Sequence, residues 1–190
     1  MEIFFFVLIG LLVAILLYGV LIYNNLVRLK HDVTKAWANI DVLLKQRHDE
    51  LPKLVETCKQ YMKFEQETLE KVMQARAAVH SAVAQGNVGA VGAAESQLRL
   101  GLGNLFAVAE NYPDLKTNET FLHLQSRITG LENSIADRRE FYNESVNINN
   151  VRIEQFPDNI VAKRFAFKTA ELLEFDSAEL TDVNLGTLFN

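Results

Sequence analysis

An uninterrupted apolar run near the start of the chain constrains the fold more than any other feature. Residues Ile3 to Tyr23 (IFFFVLIGLLVAILLYGVLIY) include no charged side chain. As an α-helix rising about 1.5 Å per residue, this run reaches roughly 30 Å, the thickness of a bilayer's hydrocarbon core. A signal peptide needs a basic start, whereas this chain starts Met1-Glu2. A soluble core helix is rarely apolar on every face. The sequence therefore predicts a transmembrane anchor in residues 1–25.

Basic side chains flank this run on one side only. Glu2 is the only charged side chain before it, whereas Arg28, Lys30 and Lys35 follow closely after it. Lysine and arginine next to a span are retained on the cytoplasmic side of a membrane. We therefore predict a single-pass protein whose N-terminus lies outside and whose C-terminal domain lies in the cytoplasm.

The residues after the run show the apolar periodicity of long helices. Apolar side chains recur at steps of three, four or seven residues from Leu26 to Val79, which predicts one long helix. Because Pro52 lacks a backbone N–H, we expect this helix to bend near His48. The alternative is that Pro52 starts a fresh helix, with little change to the packing.

Further helices are predicted downstream from their start and stop signals. Clustered glycines mark a loop, and the residue before Pro113 is disfavoured in helical geometry. Threonine and asparagine are good N-caps. The expected bounds are a loop at Gln85–Gly89 with Gly92 after it, a helix ending at Tyr112, a helix from a cap at Thr117 or Asn118 to about Glu154, and a short helix from Asp158 to about Phe167.

These helices predict the fold class. No segment sustains the alternation with a period of two that strands require. The helical stripes have a period near 3.5 residues, which is typical of antiparallel bundles. The predicted fold is all-α, a single N-terminal transmembrane helix that continues into an antiparallel (up-down) helical bundle. We place the bundle in residues 26–167 and a C-terminal tail in residues 168–190.

Composition and motifs argue against catalysis. The net charge of −5 makes a global attraction to nucleic acid unfavourable. A single cysteine, Cys58, excludes an intramolecular disulfide, and its place on the apolar stripe predicts that it packs as a small hydrophobe. No histidine has the glutamate three residues earlier that di-iron bundles use. We predict no catalytic, cofactor-binding or metal-binding residues.

Several polar residues lie where apolar ones are expected. Arg47, Glu65 and Arg76 lie on or beside the apolar stripe, where a charge costs free energy unless it is paired. They either specify helix register or mark a polar contact with a partner. Asparagine is a poor helix former, so a cluster of it predicts interhelical hydrogen bonds or a frayed, functional helix end. The cluster consists of Asn143, Asn147, Asn149 and Asn150.

The tail combines acidic and apolar side chains. From Thr169 onward there are five acids and no lysine or arginine, interspersed with leucine and phenylalanine. One interpretation is a disordered acidic tail. The other is that Leu172 to Phe189 docks onto a neighbouring subunit or another protein, and deletion of residues 169–190 then shrinks the assembly. In that case the acids meet basic groups such as Lys163, Arg164, Arg28 or Lys30.

Five segments carry a resemblance to a known family. They are Tyr23–Val27, Ala36–Tyr61 (AWANIDVLLKQRHDELPKLVETCKQY), Leu102–Gln125 (LGNLFAVAENYPDLKTNETFLHLQ), Glu132–Asn143 and Phe156–Phe167. In this order they resemble the LemA family of bacterial membrane proteins. The resemblance implies an outside N-terminus, one span and a cytoplasmic antiparallel bundle. It implies no established enzyme activity or cofactor, and it offers no catalytic residues.

The observations together predict a non-enzymatic scaffold or adaptor that organises proteins at the bacterial inner membrane. We expect it to form a homo-oligomer, to contact another membrane protein and to bind no nucleic acid. One alternative is a membrane-bound enzyme with an improvised site in the bundle core. Another is a sensor that binds a small ligand or peptide between helices.

Overall fold

The computed structural model describes residues 1–175. Over this range the chain forms six helices and no strand. The helices are α1 (Glu2–Tyr61), α2 (Gln66–Ala84), α3 (Val88–Ala109), α4 (Pro113–Lys116), α5 (Glu119–Glu154) and α6 (Asp158–Arg164). The predicted all-α fold, in which one long apolar N-terminal helix continues into a helical bundle, is confirmed.

Helix α1 is continuous from the apolar run to Tyr61 and contains Pro52 in its interior. The interpretation that Pro52 starts a fresh helix is therefore wrong. The predicted extension of this helix to Val79 is also wrong, because residues 62–65 leave the helix before α2 begins. This turn contains no glycine or proline, and apolar residues keep their helical spacing across it. Periodicity therefore gives no sign of the turn.

Helix α2 folds back along α1 as an antiparallel partner. Arg76 Nε donates a hydrogen bond to the carbonyl oxygen of His48 at 2.8 Å. Folding back lets the apolar stripes of the two helices cover one another, which a single straight helix over the same residues does not allow. The packing energy of this arrangement, rather than a local breaker, sets the position of the turn.

The loop before α3 is shorter than expected. Gly86 adopts a φ of 64°, a left-handed conformation that glycine adopts without steric cost. The side chain of Asn87 caps α3 by accepting a hydrogen bond from the Ala90 N–H at 2.9 Å. Because α3 already begins at Val88, Gly92 lies inside a helix and not in the loop.

The later helix boundaries follow the expectation closely. The Asn118 side chain accepts a hydrogen bond from the Phe121 N–H at 3.0 Å, which confirms the predicted cap of α5. Helix α5 ends at Glu154, as predicted. The differences are that α3 ends at Ala109 and not at Tyr112, that Pro113 begins the short helix α4, and that α6 ends at Arg164 and not at Phe167.

The chain packs as two units. Unit 1 combines residues 1–38 with residues 140–171, and unit 2 combines residues 39–139 with the segment that begins at Leu172. The predicted anchor, bundle and tail were defined by their expected location relative to the membrane, whereas these two units are defined by packing. The predicted division therefore stays a prediction.

Unit 2 has a core formed by apolar side chains of α1, α2, α3 and α5. Helices α1 and α5 are antiparallel there, with Arg127 Nε 2.9 Å from Glu50 Oε1. Burying a leucine or isoleucine side chain contributes about 1.5–3 kcal/mol. Fully buried residues of this core include Leu51, Leu54, Leu98, Leu102, Leu105 and Ile128.

Unit 1 has a smaller core at the end of the apolar run. Ile22 and Leu26 of α1 are buried in a cluster with Ala162 of α6. Further along unit 1, the rings of Trp37 and Tyr142 lie 5.4 Å apart, so α5 also packs against α1. The partly buried side chains around the cluster are Ile153, Val161 and Phe167.

Candidate functional site

The N-terminal part of α1 presents a large apolar surface. Every large apolar side chain from Ile3 to Leu21 is at least 43% exposed. In the part of the chain that the structure describes, α1 is the one helix long and apolar enough to cross a membrane. Soluble proteins rarely expose an apolar surface this extensive, because its contact with water is unfavourable. The protein is therefore membrane-associated through this surface.

A buried ion network lies in the core of unit 2. Arg47 is 1% exposed and forms a salt bridge with Glu95 of α3, which is equally buried. Its other terminal nitrogen lies 3.5 Å from Glu132 of α5. The prediction that Arg47 must be paired is confirmed. Because an unpaired charge is costly at this depth, the network favours the register in which these three side chains meet.

Sequence reasoning identified Arg47 but missed its partners. Glu95 lies in the middle of α3, a helix made almost entirely of small and apolar residues, and it is the only acidic residue of that helix. That isolation was the available signal. Glu132 carries no comparable signal, since it lies in a helix rich in charged residues.

Arg76 and Glu65 are also paired within unit 2. Arg76 donates two hydrogen bonds to His48, one to its carbonyl oxygen at 2.8 Å and one to its ring Nε2 at 2.6 Å. Glu65 Oε1 accepts a hydrogen bond from the Tyr112 hydroxyl at 3.4 Å. These contacts satisfy both residues inside the chain. They support the register interpretation over a contact reserved for a partner.

The ring of His48 has an environment that favours its neutral form. Arginine can only donate, so Nε2 must be the unprotonated, accepting nitrogen. Burial lowers the pKa of His48 below 6.5, and the positive charges of Arg76 and His80 lower it further, against an opposing contribution from Asp49. The His80 ring lies with its centroid 4.7 Å from that of His48.

The free energy of unfolding is expected to fall as the pH drops from about 7.5 to about 5.5. Because the pKa of His48 is lowered on folding, the unfolded chain binds more protons in this range. The stability that neutral His48 contributes is present above pH 6.5 and is lost as the pH falls below it. Urea unfolding at both pH values measures the difference. His48→Gln should reduce this dependence, whereas the exposed His31→Gln should keep it, and an unchanged slope in His48→Gln would contradict the assignment.

Glu50 forms a second, more exposed ion pair cluster. Its side chain lies 3.0 Å from Lys53 and 2.9 Å from Arg127. The hydrogen bond from Lys53 lowers the pKa of Glu50 most, and the charge of Arg127 lowers it further against the effect of burial. The stability from this group is present above pH 4.5 and lost as the pH falls through the lowered pKa, so it lies outside the range in which His48 acts.

Cys58 packs as the apolar residue that the sequence predicted. It is fully buried. Burial raises the pKa of its thiol to about 12, because the thiolate loses its hydration. The thiolate is the reactive form, so this position is poorly suited to covalent catalysis.

We expect Cys58 to resist thiol reagents in the folded protein. A pKa near 12, against an ordinary value of 9.0, reduces the thiolate fraction at neutral pH by a factor on the order of 10³, in addition to the steric shielding. Maleimide labelling with and without denaturant measures this directly. A cysteine at the neighbouring exposed position, Gln60→Cys, is the matched control and should label rapidly. Equal labelling rates for the two cysteines in the native protein would show that Cys58 is accessible.

One member of the asparagine cluster, Asn150, binds a non-helical segment and not another helix. The Asn150 side chain donates to the carbonyl of Ala170 at 2.9 Å and accepts from its N–H at 2.8 Å. The Tyr142 hydroxyl donates to the carbonyl of Glu171 at 2.8 Å. Because α5 remains helical to Glu154, the prediction of a frayed end is wrong. The prediction of interhelical bonds is corrected for Asn150, since a side-chain amide pairs equally well with extended backbone.

The start of the tail packs on its own chain. We call residues 168–175 the strap. Leu173 is 1% exposed, and the Phe175 ring lies 4.0 Å from the guanidinium carbon of Arg139. The carbonyl of Glu174 contacts Gly92, where any side chain would collide with it. These contacts of residues 173–175 lie within one chain, whereas docking of Leu172 to Phe189 onto a neighbouring subunit, with its acids near Lys163, Arg164, Arg28 or Lys30, stays a prediction. The rest of the tail lies outside the described residues.

Two grooves flank α2 in unit 2. The larger has a volume of about 750 Å³, and its lining combines apolar residues such as Met62, Leu69 and Met73 with lysine, glutamate and glutamine side chains. The smaller, of about 390 Å³, contains His48 and His80. Among residues 1–175, no group of three or more histidine, cysteine or acidic side chains is arranged to hold a metal ion.

The chain is similar to a known protein family and to several known proteins. The LemA family model matches residues 36–185. Protein LemA of Metamycoplasma hominis is 29% identical over 193 residues, covering 100% of this chain and 86% of that protein. Magnetosome protein MamQ 2 of Paramagnetospirillum magneticum is 25% identical over 190 residues, covering 88% of this chain and 70% of that protein. Magnetosome protein MamQ of Magnetospirillum gryphiswaldense is 25% identical over 183 residues, covering 84% and 67%.

The family match includes most of the structural features described above. Residues 36–185 contain the ion network, Cys58, the asparagine cluster and the strap. The names of the three relatives state no enzymatic activity. The resemblance seen in the five sequence segments is confirmed. This chain belongs to the LemA family and is a membrane-associated protein of that family.

Proposed function

We propose that this protein is a non-enzymatic scaffold that holds a helical bundle at the bacterial inner membrane and assembles with copies of itself. In this proposal α1 crosses the membrane once, the N-terminus lies outside and the bundle lies in the cytoplasm. The basic residues Arg28, Lys30 and Lys35 after the apolar run support this orientation. A further membrane protein is the expected partner.

The observation that carries the proposal is the packed junction, within unit 1, between the apolar run and the helices next to it. The helix that contains the apolar run continues without a break past Lys35. Where the run ends, Ile22 and Leu26 are buried against Ala162. Helix α6 therefore packs directly on α1 at this point, and no flexible linker separates the apolar run from the folded helices. A protein that only tethers an enzyme to a membrane has no need of such a junction, whereas a scaffold must present its surfaces at a defined height and orientation.

The chemistry of the bundle core supports a structural role. The buried guanidinium of Arg47 is paired with the carboxylates of Glu95 and Glu132. The thiol of Cys58 is held in its unreactive protonated form. Groups that are already paired or protonated in this way are poor candidates for acid–base or nucleophilic steps.

Crosslinking in native membranes tests the proposal. Cells that produce the full chain are treated with a lysine-reactive crosslinker, and the protein is purified with its partners for mass spectrometry. We expect crosslinked multimers of this chain together with a second membrane protein. A strictly monomeric species that co-purifies with nothing, at the natural level of expression, would overturn the scaffold proposal. Extraction at alkaline pH tests the span separately, because an integral protein stays in the pellet.

Labelling of engineered cysteines tests the orientation. Gln60→Cys is exposed on α1, and the native Cys58 does not compete with it because it is buried. In intact cells, we expect labelling of Gln60→Cys by a membrane-permeant maleimide and not by a charged, impermeant one. Labelling by the impermeant reagent would reverse the proposed topology.

A second candidate function, binding of an apolar peptide or ligand, is favoured by the larger groove. Methionine side chains such as Met62 and Met73 adapt to partners of different shape. This function predicts a rise in melting temperature when the ligand is present. Met73→Glu should abolish that rise without affecting crosslinking, which separates the two functions.

A further inference from the structure

Helix α6 and the residues that follow it lie close to the end of the apolar run. The ring of Tyr23, the last residue of the run, has its centroid 4.8 Å from that of Phe165 and 5.8 Å from that of Phe167. Ala162 of α6 is buried against Ile22 and Leu26, which lie on either side of Tyr23. Tyrosine is typical of the boundary between hydrocarbon and headgroups. If α1 spans the membrane, α6 therefore lies in the headgroup layer, which is about 5–7 Å deep on each side.

The outward face of α6 combines apolar and basic side chains. Asp158 and Ala162 are buried and lie on the inner face of the helix. Ile160, Lys163 and Arg164 are spaced three and four residues apart, which places them together on the opposite, exposed face. Ile160 is 60% exposed although it is fully apolar.

Two exposed aromatic residues flank this face. Phe156, before α6, is 80% exposed, and Phe165, after it, is 57% exposed. We call Phe156, Ile160, Lys163, Arg164 and Phe165 the α6 patch. An apolar face bordered by cations and aromatic rings is the pattern of helices that lie in the membrane interface.

The exposed charges of α6 itself, Lys163 and Arg164, have the sign that acidic lipids require. Exposed cations outside the patch, still within unit 1, are Arg28, Lys30, Lys35 and Lys168. The nearest acid in α6, Asp158, is buried with its carboxylate 3.5 Å from Arg152, so it does not offset them at the surface. Exposed acids of unit 1 are Glu2, at the opposite end of the apolar run, and Asp32, Glu140, Glu144, Glu154 and Glu171. None of these acids lies in α6 itself, so the outward face of the helix is purely basic and apolar.

We propose that the α6 patch is a second membrane-binding site, which inserts Phe156, Ile160 and Phe165 into the interface and binds acidic phospholipid headgroups through Lys163 and Arg164. The proposal rests on the transmembrane placement of α1. The α6 patch contacts the lipid leaflet that surrounds the cytoplasmic end of α1, because the patch adjoins Tyr23 at the depth of the headgroups. Together with the anchor, this second contact restricts tilting and rotation of unit 1 at the bilayer.

A fluorescent probe in the patch tests the proposal in the full chain. Ile160→Cys is labelled with an environment-sensitive maleimide, while the buried Cys58 stays unmodified. The protein is reconstituted in vesicles of phosphatidylcholine alone or with phosphatidylglycerol, each containing a lipid quencher. Ala38→Cys, at an exposed position of the same unit and further along α1, is the matched control. We expect strong quenching at position 160, increased by phosphatidylglycerol, and little at position 38.

Charge reversal tests the role of the cations. Each lysine or arginine near an acidic bilayer contributes about a fivefold factor to binding. Lys163→Glu with Arg164→Glu should therefore remove the effect of phosphatidylglycerol on quenching. The same reversal at the exposed Lys59 and Lys63, far from α6 along the chain, should leave it unchanged. Equal sensitivity of both double variants would overturn the specific site.

A measurement on the unlabelled wild-type protein tests the proposal independently of whether the variants fold. Hydrogen exchange of residues 156–168 should be slower in bilayers with phosphatidylglycerol than in phosphatidylcholine alone. If exchange and quenching are both independent of lipid charge and position 160 is water-exposed, the patch proposal fails. Release of the protein by alkaline extraction would instead reject the span itself, so the two failures are distinguishable.

Discussion

Replacing Glu95 by alanine is expected to lower the free energy of unfolding by about 3–5 kcal/mol, since it leaves a buried cation without its main partner. Arg47 is 1% exposed and cannot reach water without opening the core. Alanine is the best helix former, so the backbone of α3 is not weakened by the change. Urea unfolding of the full chain in detergent, followed by circular dichroism, measures the loss.

Two further variants separate charge burial from a general effect of mutation. Glu67→Ala removes an exposed glutamate that pairs with Lys71 at 2.7 Å, and we expect no measurable change because solvent screens that pair. Combining Arg47→Met, Glu95→Leu and Glu132→Gln replaces the network by groups that tolerate burial, and it should recover most of the lost stability. If Glu95→Ala unfolds at the wild-type urea concentration, the network does not hold a costly buried charge.

Gly92→Ala is expected to destabilise the protein, whereas Gly103→Ala on the same helix stabilises it. A glycine in a helix interior costs about 1 kcal/mol relative to alanine, and Gly103 has open space for a methyl group. At Gly92 the new methyl group would collide with the backbone carbonyl of Glu174. The strap must then shift and expose Leu173, whose burial contributes about 1.5–3 kcal/mol, so a net loss of about 1–2 kcal/mol is expected.

Truncation reverses the sign of the effect at Gly92. In a chain that ends at Glu171, the carbonyl of Glu174 is absent, and Gly92→Ala should stabilise α3 as Gly103→Ala does. Unfolding free energies of the four proteins form a double-mutant cycle that measures this coupling. The coupling should not depend on protein concentration, because the strap docks on its own chain. Additive effects, or coupling only at high concentration, would instead favour docking onto a neighbouring subunit.

Local signals in the sequence were sufficient for the anchor and for most helix ends. The run from Ile3 to Tyr23 is apolar on every face, and no soluble packing satisfies such a helix. Asn118 caps α5 through a hydrogen bond three residues away, an interaction that depends on neighbouring residues alone. The end of α5 at Glu154 was likewise predictable from local sequence, because Pro157 follows closely.

Local signals did not predict the turn at residues 62–65 or the position of Gly92 inside α3. Both depend on which surfaces pack together after the chain folds back, and this packing overrides local preference. Continuous periodicity across Met62 favours one helix, but two antiparallel helices bury more apolar surface than one extended helix. Gly92 resembles a loop glycine because its actual role, close approach of the strap, involves Glu174 at the other end of the chain.

The features of the candidate site also fall into two groups, those that depend on near neighbours in sequence and those that depend on packing. Residue order alone predicts a membrane-associated helical protein in which Arg47 needs a partner. Hydrophobicity, helical period and the cost of a buried charge are properties of residues and their near neighbours. The folded chain is needed to show that Glu95 and Glu132 pair with Arg47, that the strap covers Gly92 and that α6 adjoins Tyr23. These pairs are distant in sequence, and the free energy that selects them comes from the packing of whole helices, which no local pattern records.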